Sequence, residues 1–499
     1  MGASSTAAQG GGAAAAMISD DDPYRVRPDC LVDTGPARFH PKAGKTLSPR
    51  AWRAAFDAEG HLVRMDKVLK RVRRGGIDPS IRGEVWEFLL GCFAPNSSAE
   101  EREALRSARR ADYAKLKAEC RAMDDAVGSG QVVTTARIHE EEEYDNSNNE
   151  HRLLEEEQQQ QTSSGHKEEE DNNGNGICQA NGKSLEEEKG RVRVSEAAAA
   201  AAVAVVPKGR NPRATTQAEE LQENKKTQWR LNLHQIGLDV VRTDRMLQFY
   251  ERQENLGKLW DILAVYCWLD PDIGYCQGMS DFCSPVALMF ADEADAFWCF
   301  ERIMHRVRES FKCTDQSVGV QKQLETLAIL MKVLDPKLHE HLDSIGGGNY
   351  IFAFRMVMVH FRREFSFQDT LYLWEMMWAL EYVPLHISSK QDVHNNNNTM
   401  RSWIFRRKYK GRGKFDAQNL KYGAVNLPGG TAPLALYCAA AIFEMQRKPL
   451  LKQTQGLDEV LKLLNDVTGK VDAKEACKSA LKLHKKYLIK VRKQVQSQQ

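Results

Sequence analysis

Two short stretches of this chain carry residue types at a spacing that can do chemistry. They are Ile236-Gly-Leu-Asp239-Val-Val-Arg242 and, further on, Tyr275-Cys-Gln277-Gly278. A guanidinium presents a fork of N–H donors that pairs with a carboxylate or a phosphate in fixed geometry, so Asp239 can hold Arg242 oriented as an electrophile. The Gln277 amide has both a donor and an acceptor and can orient a water molecule without changing its own charge. Charge from an arginine and a water placed by a glutamine are two parts of phosphoryl hydrolysis. Alone, neither is diagnostic, because an Asp–Arg pair is commonly a structural salt bridge and such a glutamine commonly a loop hydrogen bond.

The surrounding elements must position these groups. Leu238, Val240 and Val241 can anchor the first stretch while Asp239 and Arg242 point elsewhere, and Thr243 or Asp244 is expected to cap the next helix. Leu256, Leu259, Trp260 and Leu263 form a helical stripe through Cys267, which Asp270-Pro271 ends. Tyr275 to Gly278 therefore falls on a loop between helices, where functional side chains are displayed. Apolar spacing predicts further helices over 279–290, 295–306, 320–334, 350–363 and 368–380, the last with a Ser366/Asp369 capping box.

Upstream, Ser48-Pro49 reads as a helix start and as the beginning of structure. Val63, Val68, Leu69 and Val72 then keep a helical stripe that Gly75-Gly76 closes. Asp78-Pro79 opens a helix with Val85, Trp86, Leu89 and Leu90 on one face. Trp86 reads as core, and Arg82, one turn earlier, can pack its stem while its head pairs with a carboxylate. A charged helix follows over 100–123, and amphipathic helices return over 434–447, 457–464 and 473–491, the last behind an Asp472/Glu475 capping box.

Strand signals are nearly absent, so the chain reads as all-α: a single large helical domain interrupted by inserts. Its parts are a low-complexity, disordered tail over 1–47, a first helical part over 48–123, an acidic insert over 124–225, a second helical part over 226–384, an Asn-rich and basic insert over 385–425, and closing helices over 426–499. The acidic insert, with Glu140 to Glu143, Glu155 to Glu157 and Glu168 to Asp171, cannot bury enough apolar surface to offset its ordering entropy and is expected to be disordered. Arg401 to Arg412, basic and aromatic, is read as a solvated loop, with docking to an anionic membrane as the other reading.

A net charge of +2 excludes a strongly basic whole-chain nucleic-acid binder, so no nucleic-acid partner is expected. Eleven cysteines without a Cys-x-x-Cys pair give no zinc or redox motif and match a reducing compartment. The longest apolar run, Ala197 to Val206, falls short of the roughly 20 residues of a membrane span. Met1-Gly-Ala-Ser-Ser-Thr6 lacks the basic region of a signal peptide but fits the myristoylation pattern at Gly2, for which no basic second signal follows.

The order Arg82-Gly-Glu-Val-Trp86, Ile-x-x-Asp239-x-x-Arg242, Tyr275-x-Gln277-Gly278 resembles the TBC domain, whose members activate Rab GTPases. The likeness runs on through Asp281 and Ala296-Phe-Trp298 to Trp374-Glu-Met-Met-Trp378, and covers residues 60–125 and 226–490. The resemblance implies that Arg242 is an arginine finger and Gln277 a glutamine finger, both entering the nucleotide site of a GTP-bound Rab. Asp239 would orient Arg242, Tyr275 would hold the glutamine loop, and Arg82 and Trp86 would support the face that receives the Rab. It also implies no cofactor or metal of the chain's own, since GTP and magnesium belong to the partner. The chain would be an activator that supplies residues in trans rather than an enzyme, acting in vesicle traffic from the cytoplasm with peripheral endomembrane association. The long acidic insert departs from the minimal domain. The alternative is a non-catalytic Rab-binding scaffold or effector, against which the intact Arg242 and Gln277 speak.

Overall fold

The structure, a computed structural model, describes residues 24–30, 45–135, 217–314, 317–383, 413–421 and 432–498. Those up to 135 and from 228 onward belong to one unit. Residues 217–227 belong to a second, in which Lys226 and Glu223 form an ion pair at 3.1 Å.

Capping chemistry starts the first helices. The Ser48 hydroxyl accepts from the Ala51 N–H and Pro49 occupies the first turn of α1 (Pro49–Arg53), where its missing N–H costs nothing. Helix α2 (Met65–Gly75) buries Met65, Val68, Leu69 and Val72. Asp78 caps the short 3-10 turn that leads into α3 (Arg82–Leu89), and a full capping box of Ser98 and Glu101 starts α4 (Ala99–Met123). Then come α5 (Gln217–Val240), α6 (Gln253–Leu269), α7 (Met279–Met289), α8 (Glu293–Phe311), α9 (Gly319–Leu334), α10 (Pro336–Ser344), α11 (Phe354–Met358) and α12 (Phe367–Glu381). Helices α13 (Lys414–Lys421), α14 (Leu434–Met445), α15 (Arg447–Gln453), α16 (Leu457–Asp466) and α17 (Ala473–Gln498) complete the all-α fold. The only paired strands among the described residues are Cys313–Thr314 and Ser317–Val318.

Helices α6, α7, α12 and α14 are apolar around most of their circumference and are buried on nearly every side, as such helices must be in water. Helix α3 packs against both α12 and α7 and so joins the C-terminal helices to those that carry the candidate site.

Four boundaries differ from the sequence reading. Residues 24–30, assigned to the tail, contain a buried Tyr24, and Arg25 and Arg27 exchange backbone hydrogen bonds with Gln248 and Met246 at 2.9 and 2.8 Å. A pairing this short has no periodicity to read. Residues 124–135, assigned to the acidic insert, bury Ala126, Val127 and Val133, and the Gly128 N–H donates to Asp261 at 2.9 Å. This segment lies directly on α5, where a Cβ at Gly237 would meet the Val133 carbonyl oxygen at 1.7 Å. From the second insert, α13 buries Phe415. The helix expected over 350–363 ends at Met358, because His360 and Phe361 take φ of 44° and 65°. The acidic runs, the Asn-rich stretch, Arg401 to Arg412 and Gly2 lie outside the described residues. No helix among the described residues is long and apolar enough to cross a membrane.

Candidate functional site

Asp239 sits in the last turn of α5 and is buried. One of its carboxylate oxygens accepts from Nε and Nη2 of Arg242, at 3.0 and 2.5 Å; the other accepts the Tyr275 hydroxyl at 2.6 Å. A carboxylate removed from water is tolerable when both oxygens are bonded in this way. The Arg242 side chain remains 56% exposed, so its guanidinium is oriented from one side and open on the other.

Tyr275 lies in the loop between α6 and α7. Burial, and then the neighbouring Asp239, raise its phenol pKa well above the ordinary value, which keeps the hydroxyl a donor. Two residues on, Gln277 is exposed and makes no hydrogen bond among the described residues. Gly278 has φ of 103°, and a Cβ there would come within 2.9 Å of Val359 Cγ1, so only glycine lets the loop turn into α7 this close to its neighbour. The result is an exposed cation and an exposed amide, both tethered to a single buried carboxylate.

A second network braces the loop after Arg242. Thr243 donates to the Asp239 carbonyl at 2.7 Å and lies 2.9 Å from the Ser280 hydroxyl. Asp244 has φ of 47°; its carboxylate accepts the Ser284 hydroxyl at 2.5 Å and pairs with buried Arg362. Neither Thr243 nor Asp244 caps a helix, contrary to expectation: the chain next forms a 3-10 turn, and both side chains are used in bonds across to α7 and Arg362. Asp281, in the first turn of α7, pairs with Arg363 at 2.9 Å, although burial pushes its pKa up. Sequence reasoning did not find Asp244, Ser284 and Arg362 as a group, because Arg362 is 118 residues from Asp244. The one legible trace is Ser280 and Ser284, a turn apart in a helix that is apolar apart from these and Asp281.

Arg82 and Trp86 are placed away from the surface. Both donate to one oxygen of the fully buried Glu375, at 2.7 and 3.0 Å. Arg82 is 5% and Trp86 0% exposed, so Trp86 is a core residue and the Arg82 head is paired with a carboxylate, as the sequence reading expects. Burial works against the charge on Arg82, but Glu375 and Tyr24 more than offset it and raise its pKa. Their influence on the site is mechanical. Trp86 meets Trp378 edge-on at 4.6 Å, and Trp374 stacks on Phe282 of α7 at 5.2 Å, so α3 and α12 fix the helix that the Gln277 loop enters.

The family model for the Rab-GTPase-TBC domain matches residues 208–388, which contain Asp239, Arg242, Tyr275, Gln277, Asp281 and Glu375 but neither Arg82 nor Trp86. Over these residues the chain is similar to a Rab-GTPase-TBC domain. Among relatives, it is similar to Rab GTPase-activating protein 22 of Arabidopsis thaliana, with 29% identity over 85% of this chain and 78% of that one. It is 26% identical to TBC1 domain family member 17 of Homo sapiens over 91% of this chain and 48% of that one. It is also 26% identical to GTPase-activating protein gyp7 of Schizosaccharomyces pombe, over 86% and 40%. It thus spans less than half of the human and fission-yeast proteins. Among solved structures, it is similar to the Ypt/Rab-GAP domain of Gyp1p, with a TM-score of 0.48, 14% identity, and coverage of 87% of this chain and 95% of that one. The TBC-domain match and the helical elements described above overlap throughout α5 to α12.

Proposed function

We propose that this protein accelerates GTP hydrolysis by a Rab-family GTPase, with Arg242 and Gln277 entering the partner's nucleotide site. Arg242 would neutralise charge on the transferring phosphoryl group and Gln277 would orient the attacking water, while GTP and magnesium come with the Rab. The observation that carries this reading is the shared anchor. Asp239, buried, bonds Arg242 through one oxygen and Tyr275 through the other, and leaves Arg242 and Gln277 exposed. Preorganised groups aimed at charge that develops in the transition state accelerate a reaction without reorganising during it. The relatives' printed names, Rab GTPase-activating protein and GTPase-activating protein, support the same activity. Control of vesicle traffic would follow from which Rab is switched off.

The test is phosphate release from a panel of purified, GTP-loaded Rabs with and without this protein. The expected result is stimulation of one Rab or a small set by orders of magnitude. Binding to GTP-loaded Rabs with only their intrinsic hydrolysis rate would replace the activator by a non-catalytic scaffold.

A further inference from the structure

Helices α2 and α17 both pack on α12, and between them lies a cavity of about 230 Å³. Its floor is apolar, made of Met376 and Leu380 of α12 with Cys477 and Leu481 of α17. Its rim is cationic: Lys70, Arg73 and Arg74 from the end of α2, Lys414 from the start of α13, and Lys478 from α17. Lys478 pairs with Glu475 at 3.3 Å; the other four make no ion pair among the described residues. Lys70, Arg74 and Lys414 are exposed, as solvated cations usually are. Arg73 is not. It is partly buried in the rim, and burial lowers its pKa with no anion among the described residues to oppose the effect.

From this cavity we infer a binding site for a phosphate monoester carried on a short carbon skeleton. A guanidinium fork and three further unpaired cations match a multiply charged phosphate better than a single carboxylate, which would leave most of the charge unanswered. The apolar floor receives the carbon skeleton beneath the phosphate. A phosphorylated lipid headgroup and a free phosphorylated polyol share this chemistry. The site lies on residues that the proposed catalytic groups do not touch, so it stands or falls separately from the proposed activity.

The experiment uses the full chain and two probes. One is soluble inositol trisphosphate, by calorimetric titration; the other is sedimentation with phosphatidylcholine vesicles containing phosphatidylinositol bisphosphate, compared with vesicles of equal charge containing phosphatidylserine. Loss of one charge-assisted contact predicts that Arg73→Gln weakens binding about tenfold or more. Saturable binding of the soluble probe alone identifies a free phosphate as the ligand, and binding of the bisphosphate vesicles in preference to phosphatidylserine identifies a lipid headgroup. Either outcome, if lost in Arg73→Gln, supports the site. No binding of either probe overturns it, as does binding that phosphatidylserine matches and Arg73→Gln leaves unchanged. If Arg73→Gln loses helicity, the double variant Lys70→Gln/Lys414→Gln, at exposed positions, decides in the same way.

Discussion

Tyr275 donates its hydroxyl to Asp239 at 2.6 Å across 36 residues of chain, and through this bond the loop that carries Gln277 is fastened to the carboxylate that orients Arg242. In the proposed mechanism, charge and water placement would thereby be set by one buried group. Tyr275→Phe leaves the ring packed and strands one Asp239 oxygen. The expected cost is about 1–3 kcal/mol of stability, as for other orphaned buried acceptors. Stimulated hydrolysis should fall while affinity for the GTP-bound partner stays near wild type. Chemical denaturation and single-turnover hydrolysis measure the two effects, and an unchanged rate would detach Tyr275 from the positioning role.

Arg242→Ala should lower stimulated hydrolysis by about 10³ to 10⁵, the range for an arginine that stabilises transferring phosphate. Its side chain is more than half exposed, so the fold should survive. Arg242→Lys should rescue little, because an ammonium cannot reproduce the two-pronged bond to Asp239. Stimulation within threefold of wild type in Arg242→Ala would remove the residue from catalysis.

Gln277→Ala should separate rate from affinity. An amide that orients water acts in the transition state, while the wide surface around it supplies most of the binding. Single-turnover rates at saturating activator should drop sharply with the dissociation constant little changed. Equal losses in both would make Gln277 a binding residue.

Glu375→Ala leaves Arg82 buried without its carboxylate and removes the acceptor of Trp86. Breaking a buried ion pair from one side costs about 3–5 kcal/mol. Urea unfolding should register this loss, and any fall in stimulation should track the folded fraction rather than the catalytic rate of folded molecules.

Acid should weaken the fold through its buried imidazoles. Burial pushes His360 and His484 down to about 4. His484 packs 4.2 Å from the Phe415 ring, with both ring nitrogens facing the amides of Gln418 and Asn419. Between pH 6.5 and 4 the unfolded chain binds more protons at these sites than the folded one. Their contribution is therefore complete above pH 6.5 and is lost as the pH falls through that window, at up to about 1.4 kcal/mol per pH unit for each group. Glu87, raised to about 7 by burial, works in the opposite sense, so the informative quantity is the difference between wild type and His484→Gln. Unfolding free energies across this range should fall less steeply in the variant; parallel curves would exclude His484 as a source of acid sensitivity.

Much of this protein is decided by local sequence. Ser48, Asp78, Ser98 and Ser366 mark helix starts because their oxygens answer backbone N–H groups a few residues on, and each does so in the structure. The all-α fold follows from apolar spacing alone, and the placing of Tyr275 and Gln277 on an interhelical loop follows from Asp270-Pro271. What local sequence does not hold is the identity of partners far away in the chain. That Arg82 and Trp86 converge on Glu375, or that Asp244 takes Arg362, depends on which helices meet. Those meetings are set by burial summed over the whole core rather than by any residue's neighbours. The same reason hid Tyr24 and residues 124–135. Each is a short segment without periodicity: the first is held by backbone bonds to Met246 and Gln248, the second by the Gly128 N–H on Asp261 and by Gly237, whose missing side chain leaves room for Val133. Asp239 lies on both sides of this division: its spacing to Arg242 is written in the sequence, but its second oxygen was assigned to Tyr275 only when α5 and the loop before α7 packed together.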